Sequence, residues 1–462
     1  MNTRIAQVAQ DFIEKYYGIF ENSNELNLED FESSLFEVSN KFCRDSIKLF
    51  IEMSNQIILE QKEVRRSERI SVHKKEVGRE LLTKFGMIEF NRSYFKTSEG
   101  YAYLADKVVG LESYDRVSAN VSAELVDRAA KMSYQQSVEE TVKGVLSRQT
   151  VMKKIRRTQG LEPRSSGLKK RIEILHVVAD EGHVAMQSGK NRAVPLITVH
   201  EGIVPVSKGR NKCLNTVHFS DYGKSTSDLW NEVFCWLDEE YALNYVKRIY
   251  LHGDGANWIK SGLDVLPESR FVLDRYHLEK AVKSVTSGDN EEYRLPLRRA
   301  VKEFDLNGIE NILKEILTAV QSENEAKKVL EIHKYIKNNW EGILIRRVEP
   351  GCGGSCTEAQ ISHVLAKRLS RNPLGWSEEG LKYMSRLRVF KVNGGRVTTK
   401  HLKKAQEDPK ISDIKKTVED KIKELFREAK DFSTFEAQKC SMGKVTPIRV
   451  LMTGINKGGF AF

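Results

Sequence analysis

Proline is scarce in this chain, at nine of 462 residues, and neither an internal repeat nor a low-complexity tract interrupts it. With 40% hydrophobic residues, that scarcity excludes a disordered chain and calls for packed domains. Cysteine is nearly as rare. Cys43, Cys213, Cys235, Cys352, Cys356 and Cys440 are scattered, which excludes a disulfide scaffold and suits a reduced cytoplasmic protein. No apolar run approaches the roughly 18 residues that span a bilayer, and the first residues lack a secretory apolar stretch. A soluble protein with no membrane partner is therefore expected. Gly351-Cys352-Gly353-Gly354 is not followed by Gly-Lys-Ser/Thr, so no nucleotide cofactor is expected.

What the chain has in excess is positive charge. Lys and Arg number 75 against 64 Asp and Glu, giving a net charge of +11 and a pI near 9.1. An excess of that size favours a polyanionic partner. The length allows two or three domains and a large core.

Residues 1–80 read as a helical N-terminal region. Val8, Phe12, Tyr16 and Ile19 recur at helical spacing, as do Phe42, Ile47, Phe50, Ile51 and Ile58. The charge-dense stretch 61–80 reads as an exposed helix or linker. Residues 81–160 combine a β-hairpin, with strands at 86–95 and 101–104 about a turn at Ser98-Glu99-Gly100, and helices from 117 onward. Gly144 closes one of these helices and Ser147 caps the next, a helix-turn-helix pattern over 133–157. Its second helix carries Arg148, Lys153, Lys154, Arg156 and Arg157, which are candidate DNA contacts or equally a solvated basic face. The basic link 159–171 marks a domain boundary. Beyond it, strands at 172–186, 193–206, 246–253 and 270–274 alternate with helices at 227–245 and 258–266. That order implies a mixed sheet, over 171–284, with helices packed on it. Residues 285–345 read as a helical insertion, 346–398 as the remainder of the α/β core, and 399–462 as a Lys-rich helical region facing solvent or DNA.

Three acidic residues stand out on this framework. Asp180 ends the buried run Ile174-Leu175-His176-Val177-Val178-Ala179, where a carboxylate needs a partner or a task. Asp254 lies between Gly253 and Gly255, right after a strand, where flanking glycines permit a sharp turn and the approach of a phosphate. Glu358 precedes Ile361, Val364, Leu365 and Leu369 and so sits in the first turn of a sheet-facing helix. Carboxylates in such a set can hold two Mg²⁺ or Mn²⁺ ions about 4 Å apart and support in-line phosphoryl transfer. Plainer roles compete. Asp254 suits a turn, and Ser355-x-x-Glu358 is a capping box. His277, in Asp274-Arg275-Tyr276-His277, could bond a metal ligand or a phosphate, or be a satisfied core histidine. Cys352, Cys356 and His363 suggest zinc only superficially, because no fourth ligand follows at standard spacing.

Taken together, the chain resembles the DDE-type transposases of bacterial insertion sequences, in particular the ISLre-type family, which is similar to the Mutator group. The likeness is carried by Ala179-Asp180-Glu181-Gly182-His183-Val184, Gly253-Asp254-Gly255-Ala256-Asn257-Trp258-Ile259, Asp274-Arg275-Tyr276-His277-Leu278-Glu279-Lys280, Cys356-Thr357-Glu358 and Pro373-Leu374-Gly375-Trp376-Ser377. The resemblance implies an α/β chain with an RNase H-like mixed-sheet catalytic domain and a helical insertion, preceded by a mainly helical DNA-binding module containing a β-hairpin. It implies that Asp180, Asp254 and Glu358 bind the metal ions, and that Asp274 and His277 match a supporting D-x-x-H element. The implied partners are double-stranded DNA, both terminal inverted repeats and target, and further copies of the chain in a dimer or larger assembly. The implied location is the nucleoid of a bacterial cytoplasm. In that family a glycine commonly follows the glutamate. Here Ala359 does, which leaves Glu378 and Glu379 as alternative third carboxylates. The rival readings are a nuclease or resolvase that cuts without strand transfer, and a domesticated DNA-binding protein without catalysis.

Overall fold

The alternation Ile88, Phe90, Arg92 puts one face of residues 86–97 inside, as the sequence pattern requires. The computed structural model describes residues 2–21, 27–207, 210–353, 356–371, 375–402 and 409–439. They form two compact units, one of residues 1–123 with 403–462 and one of 124–402.

In the first unit, α1 (Asn2–Glu21) and α2 (Leu28–Glu60) are followed by a short α3 (Lys62–Ser67) and a meander of β1 (Ser71–Thr83), β2 (Gly86–Thr97) and β3 (Gly100–Ala102). Helix α3 falls within the stretch 61–80 read as an exposed helix or linker, but strand β1 corrects that reading from Ser71 onward. Its register slips between Val72 and Val77, and most of its side chains there are exposed, so no period of two is visible in the sequence. The helix α4 (Leu104–Val108) completes the core with Leu49, Met53, Ile57 and Phe95. The Lys-rich C-terminal helix Pro409–Lys439 also packs there. Ile414, Val418, Ile422 and Leu425 make a buried stripe, with exposed residues on the other faces of 412–428.

The second unit opens with the end of α5 (Ala119–Ala129), then α6 (Tyr134–Val142) and α7 (Arg148–Ile155). Lys143 takes a left-handed conformation after α6, and Ser147 caps α7, so two helices form within 133–157. The sheet follows. It has the order β10-β9-β4-β5-β8, from β4 (Ile174–Ala185), β5 (Asn191–His200), β8 (Val217–Phe219), β9 (Arg248–Gly253) and β10 (Ser269–Leu273). The pairs β4–β5 and β5–β8 are antiparallel, and β4–β9 and β9–β10 are parallel. A hairpin of β6 (Ile203–Ser207) and β7 (Arg210–Cys213) projects between β5 and β8. One face of β4, with Leu175, Val177 and Ala179, packs on Trp230, Val233 and Leu237 of α8 (Thr226–Glu240). The opposite face carries His176, Val178, Asp180 and Gly182, two residues apart.

The short helix α9 (Asn257–Lys260) follows β9, and α10 (Arg275–Val285) follows β10. Helices α11 (Arg294–Glu303), α12 (Leu306–Ala319), α13 (Glu323–Asn338) and α14 (Trp340–Val348) then build a second core around Leu297, Ile309, Leu313, Ile316 and Ile336. Next, α15 (Thr357–Gln360), a π-helical stretch (Ile361–Ala366) and α16 (Lys367–Leu369) run as one continuous helix. A Cβ on Gly182 would come within 3.0 Å of Leu365 and 3.8 Å of Ile361, so this helix lies directly on the Asp180 face of β4. Arg388, buried on α17 (Glu378–Val392), donates to the carbonyls of Val364 at 2.7 Å and His363 at 2.9 Å within the π-helical stretch, and to Ala130 at 3.2 Å beyond α5.

Candidate acidic site

Strand register builds the site. Val178 of β4 stands opposite His252 of β9, and His252 opposite Val272 of β10. Two residues further along each chain come Asp180, Asp254 and Asp274. The three carboxylates therefore line up just past the end of the parallel pairing, Asp254 and Asp274 following their strands and Asp180 midway along β4, which runs on to Ala185 beside β5.

The ligand atoms of Asp180, Asp254 and His277 lie within 4.8 Å of one another. Asp274 is buried and has another task. It caps α10, accepting from the Tyr276 N–H at 3.2 Å, and its other oxygen holds His277 Nδ1 at 3.1 Å. One oxygen of Asp254 accepts the Ala256 N–H at 2.8 Å, so the turn role and the site role share one residue. Gly255 has φ +91°, and a Cβ there would lie 2.5 Å from Asn339. The room made by this glycine is thus filled by Asn339, where the sequence had suggested a phosphate. Tyr335 of α13 donates to the Asp254 carbonyl at 2.8 Å. Tyr335, Asn339 and Glu181 are site neighbours that no local motif announces.

Burial pushes the Asp180 carboxyl up to about 6; the charges of Asp254 and Asp274 add to this, while the Glu181 N–H and His277 oppose it. Burial, then Asp254, also raises Glu181. The hydrogen bond to Asp274 raises His277 above its ordinary value, with Asp180 and Asp254 assisting. Among the described residues, His277 is the charge that opposes the Asp180 shift, and Arg346 lies near enough to Asp274 to feel its charge.

This has a consequence for stability. A raised carboxyl favours the folded state while protonated, and that contribution is lost as pH rises from about 4 through about 6. The gap between 3.8 and about 6 is worth about 3 kcal/mol undiscounted, and about 1–2 kcal/mol once water near this partly open group is allowed for. Asp180→Asn is therefore expected to raise the melting temperature of the unit by a few degrees at pH 8, with the gain vanishing below pH 4. Melts of the variant that are unchanged or lower at pH 8 would refute this.

The third carboxylate stands differently. The helix that bears Glu358 packs on β4, but the Glu358 side chain, and Ser355 of the capping box, lie outside the described residues. Glu378 bonds Arg192 at 3.2 Å and accepts from the Tyr222 hydroxyl; Glu379 pairs with Arg156 at 2.9 Å. Among the described residues, neither joins the Asp180 group.

The five basic candidates, three on α7 and two just past it, divide. Arg148, Lys153 and Arg157 are exposed, and Arg156 is engaged with Glu379. Lys154 is only 8% exposed. It follows Val151 by three residues and so shares the face on which Val151 and Ile155 are buried, which removes it from an outward basic surface.

The fold and site define an α/β protein with a carboxylate–imidazole cluster at the strand ends of a mixed sheet. A family model described as an uncharacterised protein family, UPF0236, matches residues 21–406, and the chain belongs to that family. One UPF0236 protein of Caldanaerobacter subterraneus subsp. tengcongensis, whose name joins eleven designations, is 37% identical over 456 residues, 97% of this chain and 96% of its own. Another from the same organism is 37% identical over 454 residues, 96% of this chain and 97% of its own. A UPF0236 protein in the vanSb 3′ region of Streptococcus gallolyticus is 23% identical over 384 residues, 80% of this chain and 84% of its own.

Proposed function

We propose that this protein is a DDE-type DNA transposase of the ISLre type, with an RNase H-like core. It would bind the terminal inverted repeats of its element, cut at the 3′ ends and join them to target DNA. The observation that carries the reading is the register that sets Asp180 beside Asp254 on adjacent parallel strands, with Asp180 short of compensating charge. An under-neutralised pair of carboxylates fits a divalent cation. Asp180 and Asp254 would hold it, Glu358 would add the third carboxylate, and such a set suits two Mg²⁺ or Mn²⁺ ions. Bound there, a cation neutralises phosphate charge and makes water or a 3′ hydroxyl a better nucleophile. The chain itself fixes the donors. The Glu181 and Ala256 N–H groups orient Asp180 and Asp254, and Asp274 sets the His277 ring.

Other features support the reading. A three-strand antiparallel meander extended by two parallel strands is the arrangement of an RNase H-like sheet. The net charge of +11 and the exposed Arg148, Lys153 and Arg157 suit a phosphate backbone. One name joining eleven designations in a single strain is what many copies of one sequence would produce.

The test is incubation of the full chain with duplex DNA carrying the element ends, Mg²⁺ or Mn²⁺, and a target plasmid. Nicks at the ends followed by joined products are expected. Cutting without joining would replace the reading with a nuclease or resolvase, and binding without cutting would replace it with a non-catalytic DNA-binding protein. The triple change of Arg148, Lys153 and Arg157 to Ala is expected to lower the log–log salt slope of end binding by about 3. An unaltered slope would remove α7 from the interface.

A further inference from the structure

We infer that His200, Cys213 and Cys356 form a second metal site, for a thiophilic cation of the zinc class. The three donors come from the end of β5, the end of β7 and the residue before α15, and their ligand atoms lie within 4.8 Å of one another. A tetrahedral zinc shell, with Zn–S near 2.3 Å and Zn–N near 2.0 Å, sets its ligand atoms about 3.4–3.8 Å apart. The cluster is thus within an ångström or so of that geometry before any ion is considered.

Each donor is prepared for a cation. The Cys213 thiol donates to Cys356 Sγ at 3.0 Å, and Gln360 Nε2 points at both sulfurs, at 3.6 Å from Cys356 and 3.8 Å from Cys213. The two sulfurs therefore face each other across a short gap, within reach of one ion. The His200 ring is fully buried, and its Nε2 has no hydrogen-bond partner among the described residues. The ring lies close enough to Cys356 to lower that thiol, and a cation bound between them would satisfy the buried nitrogen. The other ring nitrogen, Nδ1, lies 3.2 Å from the Gly202 carbonyl and 3.2 Å from its N–H. A metal on Nε2 requires the tautomer in which Nδ1 carries the proton and donates to the Gly202 carbonyl instead of accepting the Gly202 N–H.

The fourth position opens on a cavity of about 300 Å³ lined by His176, Cys213, Gly353 and Cys356. There the His176 ring stacks on His200 with centroids 5.0 Å apart and its Nδ1 lies 3.3 Å from His252, so a water entering from the cavity would complete the shell. Two sulfurs and an imidazole reject Mg²⁺, which prefers oxygen, so this ion differs from that of the acidic cluster. Cys352 and His363, the neighbours of Cys356 that the sequence suggested, take no part. Cys352 is buried with Tyr250, Val272 and Ile345, and His363 is exposed. The ion would tie β7 to the start of the helix that bears Glu358.

The full chain, purified without chelator, is expected to carry about one zinc per molecule. After metal removal, Co²⁺ should give a thiolate-to-cobalt charge-transfer band. Cys213→Ser, Cys356→Ser and His200→Gln should each lose the metal and the band while keeping the wild-type circular dichroism. Cys43→Ser and Cys235→Ser should keep both. Wild-type protein that neither carries nor takes up metal overturns the site, as does a Cys213–Cys356 disulfide found by mass spectrometry, or metal retained in the site variants. No DNA or Mg²⁺ enters the assay, so the result stands or falls apart from the transposase reading.

Discussion

Asp180→Asn and Asp254→Asn are expected to bind element ends as the wild type does and to cut them slower by on the order of 10³-fold or more. Asparagine keeps the shape of each side chain and an oxygen that can still accept the Glu181 or Ala256 N–H, each at 2.8 Å in the wild type. What it removes is the negative charge that attracts a divalent ion, so the loss falls on the metal and not on the fold. The same Asp180→Asn protein should melt higher at pH 8, because the carboxylate it lacks is held in a poorly solvated place. Dead and stabilised together is a signature that general misfolding does not produce. Single-turnover cutting of end-bearing duplex measures the rate. A wild-type rate in either variant would place the chemistry elsewhere. The third carboxylate is separated in the same assay. Glu358→Gln should behave like the other two. Glu378→Gln and Glu379→Gln should cut normally, since those carboxylates are engaged with Arg192 and Arg156.

Why some of this was readable from residues alone is plain at Asp180 and Asp254. Each follows a buried apolar run, Asp254 just past the end of β9 and Asp180 midway along β4, and a carboxylate stands out against such a run. Strand register is not written that way, so the sequence could order Asp180, Asp254 and Asp274 but could not align them. Asp274 read as one member of a motif, yet its position as cap of α10 and holder of His277 needed coordinates. Tyr335 and Asn339 come from the insertion, 81 residues after Asp254 and 84 after Gly255 respectively, and only packing brings them together. Lys154 looked like its basic neighbours until the buried face of α7 was known. The hidden strand β1 shows the reverse case, in which exposed charges and a register slip erase a pattern that backbone pairing keeps. Cys213 and Cys356 stand 143 residues apart, so no spacing rule could join them.

Arg388→Met is expected to destabilise the unit of residues 124–402 by about 3–5 kcal/mol, because it strips donors from three carbonyls in a buried setting. Methionine fills most of the space, so the loss measures hydrogen bonding more than volume. Two of those carbonyls, Val364 and His363, belong to the π-helical stretch, and one guanidinium that takes both keeps that wide turn in place. The third, Ala130, lies just past α5, where carbonyls lack helical partners. A control at the exposed Lys367, as Lys367→Met, should stay within about 0.5 kcal/mol. Chemical denaturation gives the size, and hydrogen exchange over Thr357–Leu369 gives the place. Faster exchange in that helix would tie Arg388 to the seating of Glu358 on β4. Loss of stability with exchange there unchanged would assign the arginine to the end of α5 instead. A variant within about 0.5 kcal/mol of wild type would mean that other donors reach all three carbonyls. The acidic helix would then owe its π-helical turn to its packing against Gly182.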